Sequence, residues 1–381
     1  MRERLLNAGL VCLSALASLL LLEGGARVYR HLHPQPPNNQ YAFRARQPAP
    51  YRGAWYYGPQ FVDEMFREPN GWFIRPDTRI VVPGDFHGRY FNVENGRRRT
   101  TGLPAAPQHR VWLVGGSAVY CGEVPDGETI ASHLQRLLNE RRPGYWQVEN
   151  AGSITVTTAQ QLELLRTLAV RPEDVVIFFD GVNDIVQGIY NGDPLGWVAG
   201  ENRKQLQGAG ALKALLVRIN AKYLASRLQG YSALVGTILG NIMNRRNLVR
   251  SPHLDDPGRL DALARETAAV FRENIAQASR FADARDAGFV HFLQPEIYGA
   301  ARRTAYEAGL VDNYYLNPNG LETAFTAGYP LLREETLAAG GFDLSGVLDD
   351  RTGGEEFYLD FCHVNHRANA RLAAAMLEHL K

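Results

Sequence analysis

Cysteine is scarce in this chain, and none of its three copies, Cys12, Cys121 and Cys362, falls in the paired Cys/His spacing that holds zinc. A Walker loop and a Rossmann glycine fingerprint are also missing, and no segment repeats. These absences argue against nucleotide and metal chemistry, and no cofactor is expected. Excess charge is missing too. The 41 basic and 40 acidic side chains leave a formal charge of +1 over 381 residues, so nothing draws the chain as a whole to nucleic acid. With 45% hydrophobic and 21% charged residues, the composition is that of a globular protein with room for one large domain plus an extension.

Charge is locally absent from Leu5 to Leu22, a run that would span about 27 Å as a helix, near the thickness of a bilayer core. Residues 1-30 therefore read as an N-terminal membrane anchor. A cleavable signal peptide is the alternative, but no small-x-small site follows and the run continues into Glu23-Gly24-Gly25-Ala26-Arg27. Arg2 and Arg4 on one side match Arg27 and Arg30 on the other, so charge bias does not orient the anchor. Residues 31-50, with prolines at 34, 36, 37, 48 and 50, are expected to form a stiff extended linker. Residues 51-106 are aromatic and glycine-rich without helical period, and Tyr90-Phe91-Asn92-Val93 before Asn95-Gly96 reads as a strand entering a tight turn. A β-rich extension is expected there.

From residue 107 to 381 the pattern becomes α/β. Short apolar strands at Val111–Val114, Trp146–Glu149 and Asp174–Phe179 alternate with amphipathic helices from about Thr129 to Asn139 and from Ala159 to Val170. Such alternation implies a parallel sheet covered on both faces, and ligands of such sheets bind beyond the carboxyl ends of the strands. Ser117, Gly152 and Asn183 each fall just past an expected strand end. A serine hydroxyl is a weak nucleophile at neutral pH. Acyl transfer needs an imidazole to take its proton, a carboxylate to orient that imidazole, and donors for the developing oxyanion. Asp360-Phe361-Cys362-His363 supplies the first two, ahead of a helix from His366 to Leu380 that Asn365 would cap.

In that order Gly115-Gly116-Ser117, Asn150-Ala151-Gly152, Gly181-Val182-Asn183-Asp184 and Asp360-Phe361-Cys362-His363 resemble the SGNH, or GDSL-like, hydrolase superfamily of esterases, lipases and carbohydrate deacetylases. The resemblance covers roughly Arg110 to the C-terminus with one long interruption. It implies a flavodoxin-like three-layer fold, with Ser117 as nucleophile and Asp360 and His363 completing the triad. The oxyanion hole would be formed by the Ser117 and Gly152 amides and the Asn183 side chain. The chain departs from the family pattern where Gly116 replaces the aspartate of Gly-Asp-Ser and Ala118 replaces its leucine. Neither missing side chain has a triad role, so the departure bears on the turn. If Ser117 and His363 meet, Cys121 and Cys362 are brought near one another. An oxidising compartment would then let them bridge, the alternative being two buried thiols that never meet.

Other residues compete for these roles. His366 would lie in the first turn of the last helix and has no aspartate three residues upstream, so His363 is the expected base. His291, in the apolar run Phe289–Leu293, reads as a core histidine, and Asp184 as a stabiliser of its turn. Leu260, Leu263, Thr267, Phe271, Ile275, Ala278 and Phe281 form one stripe of a sheet-covering helix. Before it, a helical insertion over 190-257 is expected. Its stretch 203-250 is basic without a single acidic residue, which suggests either an anion-facing surface or merely a solvated helical cap. By resemblance the protein is expected to be a serine esterase that removes acyl groups, acetyl foremost, from an envelope or exported polysaccharide. It would be membrane-anchored, with its catalytic domain periplasmic or otherwise extracytoplasmic. The alternatives are O-acetyl transfer onto glycan, lipid ester hydrolysis, and a non-catalytic glycan-binding assembly factor.

Overall fold

The computed structural model describes residues 2–32, 44–67, 72–74, 80–195, 232–234, 250–313, 317–351 and 353–380. At the amino terminus, helix α1 (Arg2–Leu32) is exposed along its apolar length, and its Gly9–Tyr29 stretch is long and apolar enough to cross a membrane. The basic stretch 203–250, and with it most of the insertion expected over 190–257, lies outside the described residues apart from 232–234 and Arg250.

A twisted sheet of eight strands organises the rest, in the order β10-β9-β8-β6-β7-β5-β4-β3. Its strands are β3 (Phe86–His87), β4 (Asn92–Glu94), β5 (Arg97–Arg98), β6 (His109–Gly115), β7 (Trp146–Gly152), β8 (Val175–Asp180), β9 (Gly288–Leu293) and β10 (Phe342–Asp343). Strands β6 to β10 run parallel, while β3, β4 and β5 form an antiparallel meander that joins β7, the outermost of the parallel strands, through Arg98 and Asn150. The meander turns at Asn95 and Gly96, whose φ values of 53° and 71° suit the mirror-image turns that tight hairpins favour. Two further strands, β1 (Trp72–Ile74) and β2 (Val81–Pro83), form a separate antiparallel pair among the described residues.

Residue alternation along the central strands splits the core into two layers. Val111, Leu113, Ile177 and Phe179 face helices α4 (Ile130–Arg141) and α9 (His366–Glu378), meeting Leu134 and Leu372. Trp112, Val114, Val176 and Phe178 face α5 (Thr158–Thr167) and α6 (Pro257–Asp283), meeting Leu165 and Ala278. The result is the expected three-layer α/β architecture. Helices α7 (Ala305–Val311) and α8 (Leu321–Ala338) complete the shell, α8 packing on α6 through a further apolar cluster that includes Phe325 and Phe271. From β6 the chain crosses to β7 on one side and then to β8 on the other. The carboxyl end of β6 is therefore the point where the winding reverses, the place such sheets offer to ligands.

Two segments differ from the sequence expectation. The linker expected over 31–50 is not a free spacer at its end, because Arg44 and Gln47 are buried and bonded to the C-terminal loop. Their polar groups find partners there, which solvent would otherwise supply. The region 51–106 holds helix α2 (Pro59–Arg67) as well as strands. Its Tyr51, Tyr56 and Phe61 join the main core.

Candidate functional site

Ser117 opens the single-turn helix α3 (Ser117–Tyr120) directly after β6. The sharp turn depends on Gly115 and Gly116. A Cβ on Gly115 would lie 2.3 Å from Val119 Cγ2 and 2.5 Å from the Phe179 carbonyl oxygen, so only glycine lets α3 fold back against the sheet. The Ser117 amide belongs to the first turn of α3, where N–H groups have no acceptor within the helix.

The imidazole comes from the other end of the chain. Residues 358–364 form a tight loop, closed by a bridge between Tyr358 and Val364 and by the Leu359 amide donating to the His363 carbonyl at 2.8 Å. Within it Asp360 Oδ1 accepts the backbone amides of Cys362 at 3.0 Å and His363 at 2.8 Å. Those bonds fix the carboxylate so that Oδ2 lies 2.7 Å from His363 Nδ1. On the opposite edge of the ring, Nε2 lies 2.7 Å from Ser117 Oγ. The three residues thus form a continuous hydrogen-bonded chain. Burial works against charge on His363, yet Asp360, Cys362 and Glu123 hold its pKa well above the ordinary 6.5. Burial would likewise raise Asp360, but the His363 charge and hydrogen bond, with Arg44, hold its carboxyl well below the usual carboxylate range.

Asn183 stands beside this chain. Its Nδ2 donates to the Val156 carbonyl at 2.9 Å, and a Cβ on Gly116 would lie only 2.4 Å from the same nitrogen. An amide nitrogen carries two hydrogens, so the bond to Val156 orients the group and leaves a second donor. Gly152 behaves differently from its expected part in the oxyanion hole. Its N–H already donates to Asn150 Oδ1 at 3.0 Å, an acceptor made available because Asn150 Nδ2 is tied to the Val119 carbonyl. What Gly152 supplies is closeness: a Cβ there would lie 2.3 Å from the Tyr120 amide nitrogen.

Sequence reasoning did not single out Arg44 or Glu123, and both lie at the triad. Arg44 Nη2 donates to Asp360 Oδ2 at 2.8 Å and is 3.7 Å from Glu123 Oε1, which is itself 3.9 Å from His363 Nδ1. Neither residue sits in a recognisable motif, and 316 positions separate Arg44 from Asp360, so no sequence spacing could have found the pair.

The remaining expectations resolve as follows. His366 Nδ1 contacts the Tyr56 hydroxyl at 3.0 Å, and His291 is buried with Nε2 2.9 Å from Asp180 Oδ1, so neither ring is in contact with Ser117. Asp184 Oδ1 accepts the Thr158 amide and hydroxyl at 3.0 and 2.7 Å, holding the start of α5. Cys121 and Cys362 are free thiols, so the bridge anticipated between them is absent. Each is packed in a different apolar cluster, Cys121 donating to the Ala118 carbonyl at 3.0 Å and Cys362 lying against His363. Burial pushes their thiols up to about 12 and about 11, so both stay protonated at neutral pH. Asp360, Cys362 and His363 offer donor atoms within 4.8 Å of one another, as a metal ion would require. The protonated thiol and the hydrogen bonds already made by the other two suit a triad better.

Fold and site together define an α/β protein with a Ser–His–Asp constellation at the winding reversal of its sheet. No protein-family model matches the chain, and no curated protein matches it. Solved structures do align with it. A member of the lipolytic protein G-D-S-L family from Veillonella parvula is 11% identical over 71% of this chain and 98% of its own, with a TM-score of 0.37. An acetyl xylan esterase is 13% identical over 71% and 100%, with a TM-score of 0.38. The lipase/acylhydrolase from Enterococcus faecalis is 13% identical over 71% and 95%, with a TM-score of 0.38. At such identities and scores, any functional reading stands on the site geometry.

Proposed function

We propose that the protein is a serine esterase that removes acyl groups, acetyl foremost, from an envelope or exported polysaccharide. The observation that carries the proposal is the 2.7 Å contact of Ser117 Oγ with His363 Nε2, backed by the 2.7 Å contact of His363 Nδ1 with Asp360. His363 takes the Ser117 proton as Oγ attacks the ester carbonyl, and Asp360 stabilises the imidazolium that results. The Ser117 amide and the second Asn183 hydrogen receive the oxyanion. Collapse expels the alcohol, which takes the proton from His363 and leaves an acyl-serine. Water, deprotonated by His363, then attacks that ester and releases the acid and the free serine. The role of Gly152 is to let α3 approach β7 closely, and the two donors named suffice for the oxyanion.

The carbohydrate substrate is supported by the superfamily resemblance of the four ordered motifs. Attachment to a membrane is supported by the length and apolar character of Gly9–Tyr29, and an extracytoplasmic catalytic domain by the superfamily resemblance alone. The test uses the full chain in detergent, offered aryl acetate, aryl octanoate and an acetylated oligosaccharide, beside Ser117→Ala. Acetate release that disappears in the variant supports the proposal. A marked octanoate preference would redirect it to lipid, and a folded chain whose Ser117 resists a fluorophosphonate would overturn the esterase reading.

A further inference from the structure

The triad has a second carboxylate and a buried cation at its back. Arg44 is buried, and both terminal nitrogens of its guanidinium are held. Its carbonyl accepts the Tyr57 hydroxyl at 2.9 Å, Nη1 reaches Gln47 Oε1 at 3.2 Å, and Nη2 bonds Asp360 Oδ2 at 2.8 Å. Gln47 is fixed in turn, its Nε2 donating to the Tyr306 hydroxyl at 2.6 Å and the Leu359 carbonyl at 2.9 Å. Glu123 is held by its backbone, whose carbonyl accepts the Tyr51 hydroxyl at 3.1 Å. Arg98, also buried, donates to the carbonyls of Cys121 and Val124 and so supports the loop that carries Glu123. Arg44 belongs to the end of the segment expected as a linker, and Arg98 to the β-rich extension.

Two carboxylates therefore face one imidazole edge, at 2.7 Å (Asp360) and 3.9 Å (Glu123) from His363 Nδ1. Without a cation, paired negative charges in a buried site would drive His363 strongly towards its protonated form, which cannot act as a base. The competing carboxylate would also be free to draw the ring off the axis to Ser117. A guanidinium touching Asp360 and lying 3.7 Å from Glu123 opposes both effects.

We propose that Arg44 is a positioning residue for the triad: it keeps Asp360, and not Glu123, on His363 and limits how far the two carboxylates raise the proton affinity of the ring. The inference rests on the serine-esterase reading. The charged and titratable groups around His363 are Asp360 and Cys362 on its own loop, Glu123 and Cys121 on the loop after α3, and Arg44 from the end of the expected linker. Tyr51 and Tyr306 flank Arg44, and Tyr298 lies near Asp360. All three tyrosines are held well above their ordinary value, chiefly by burial, and remain neutral where the enzyme would work.

The test compares Arg44→Gln, Arg44→Lys and Glu123→Gln in the full chain by pH profiles of kcat and kcat/KM. Arg44→Gln should lower kcat about tenfold to a hundredfold with KM little changed, and move the acidic limb up by about one pH unit. Arg44→Lys keeps the charge and should recover part of both effects. Glu123→Gln removes a negative charge, so its limb should move in the opposite direction, down. A purely structural brace predicts instead that both losses follow reduced thermal stability with the limbs unmoved, and that result would overturn the proposal. So would an Arg44→Gln profile that superimposes on the parent. Should the parent itself prove inactive, the His363 titration followed by NMR in a Ser117→Ala background still decides the matter. Arg44→Gln must raise its midpoint, and an unchanged midpoint refutes the role assigned to Arg44 whatever the reaction is.

Discussion

Gly116 and the Asn183 side chain compete for the same space. The 2.4 Å between an added Cβ and Asn183 Nδ2 is shorter than real contacts allow, so any other residue at 116 must displace the amide or the turn. Glycine at 116 is thus matched to where Asn183 stands. Gly116→Ala should reduce kcat by about tenfold to a hundredfold, short of the hundredfold to thousandfold expected for Asn183→Ala, because the amide is shifted but not removed. Steady-state rates of the two variants and their double variant check this. If Gly116→Ala still lowers the rate in the Asn183→Ala background, the effect does not run through the amide.

The pH behaviour follows from His363. Its pKa is held above 6.5, so the neutral base accumulates only at higher pH and the acidic limb of kcat/KM should lie above 6.5. The same shift affects folding with the opposite trend. A histidine whose folded pKa is raised contributes stability that is complete below 6.5 and is lost as pH rises through the folded value. Asp360, held low, contributes stability above its ordinary 3.8 and loses it as pH falls through its folded value. Thermal melts and rates across pH 5 to 10 should therefore show activity rising where the His363 contribution to stability declines.

Asp184, the neighbour of Asn183, supplies a test read through stability and not through rate. Burial, with the nearby charge of Asp180, raises its carboxyl from 3.8 to about 7. The folded state then binds that proton more tightly than the unfolded one, so stability falls as pH climbs from about 4 to about 7. Asp184→Asn keeps an acceptor for Thr158 and carries no charge. Its melting temperature should exceed the parent's at pH 8 and match it near pH 4; an equal loss at both values would mean that the hydrogen-bond geometry, not the charge, dominates.

Asn365 joins three parts of the molecule. Its Oδ1 accepts the Ala368 amide at 3.1 Å and caps α9, while Nδ2 donates to the carbonyls of Pro50 at 2.6 Å and Glu356 at 2.7 Å. Asn365→Ala should cost about 2 kcal/mol or more, since the cap and two buried bonds are lost together. Chemical denaturation gives the number. Asn365→Asp keeps the cap but loses the donors, and separates the two contributions.

The central strands and the helices around them were legible because each carries its period in consecutive residues. Val111–Val114 lies within β6, and the stripe from Leu260 to Phe281 lies within α6. That Ser117, Asp360 and His363 would come together was legible for a related reason. Asp360 and His363 share one short loop, and Ser117 follows its strand directly. Gly152 misled because a glycine after a strand signals close approach as readily as a donated amide, and only the Asn150 side chain distinguishes the two. Helix α2 was hidden by proline and aromatic residues that look like turn and strand, although Phe61 and Val62 are followed four residues on by Met65 and Phe66, which pack on the same core at helical spacing. Arg44 was hidden more deeply. An arginine in a proline-rich stretch carries no local mark, and the importance of Arg44 arises from a contact made across 316 positions.

That contact bears on how the protein comes into being. The nucleophile and base are 246 residues apart, and the cation and acid 316. Such long-range closures are made late in folding, after local elements have formed. A nascent chain exposes Ser117 long before the loop 358–364 has been synthesised, and until that loop docks the hydroxyl has no base. On the proposed reading Ser117 stays without its base throughout that interval, and the site is assembled only when residues 358–364 and the segment carrying Arg44 close on it.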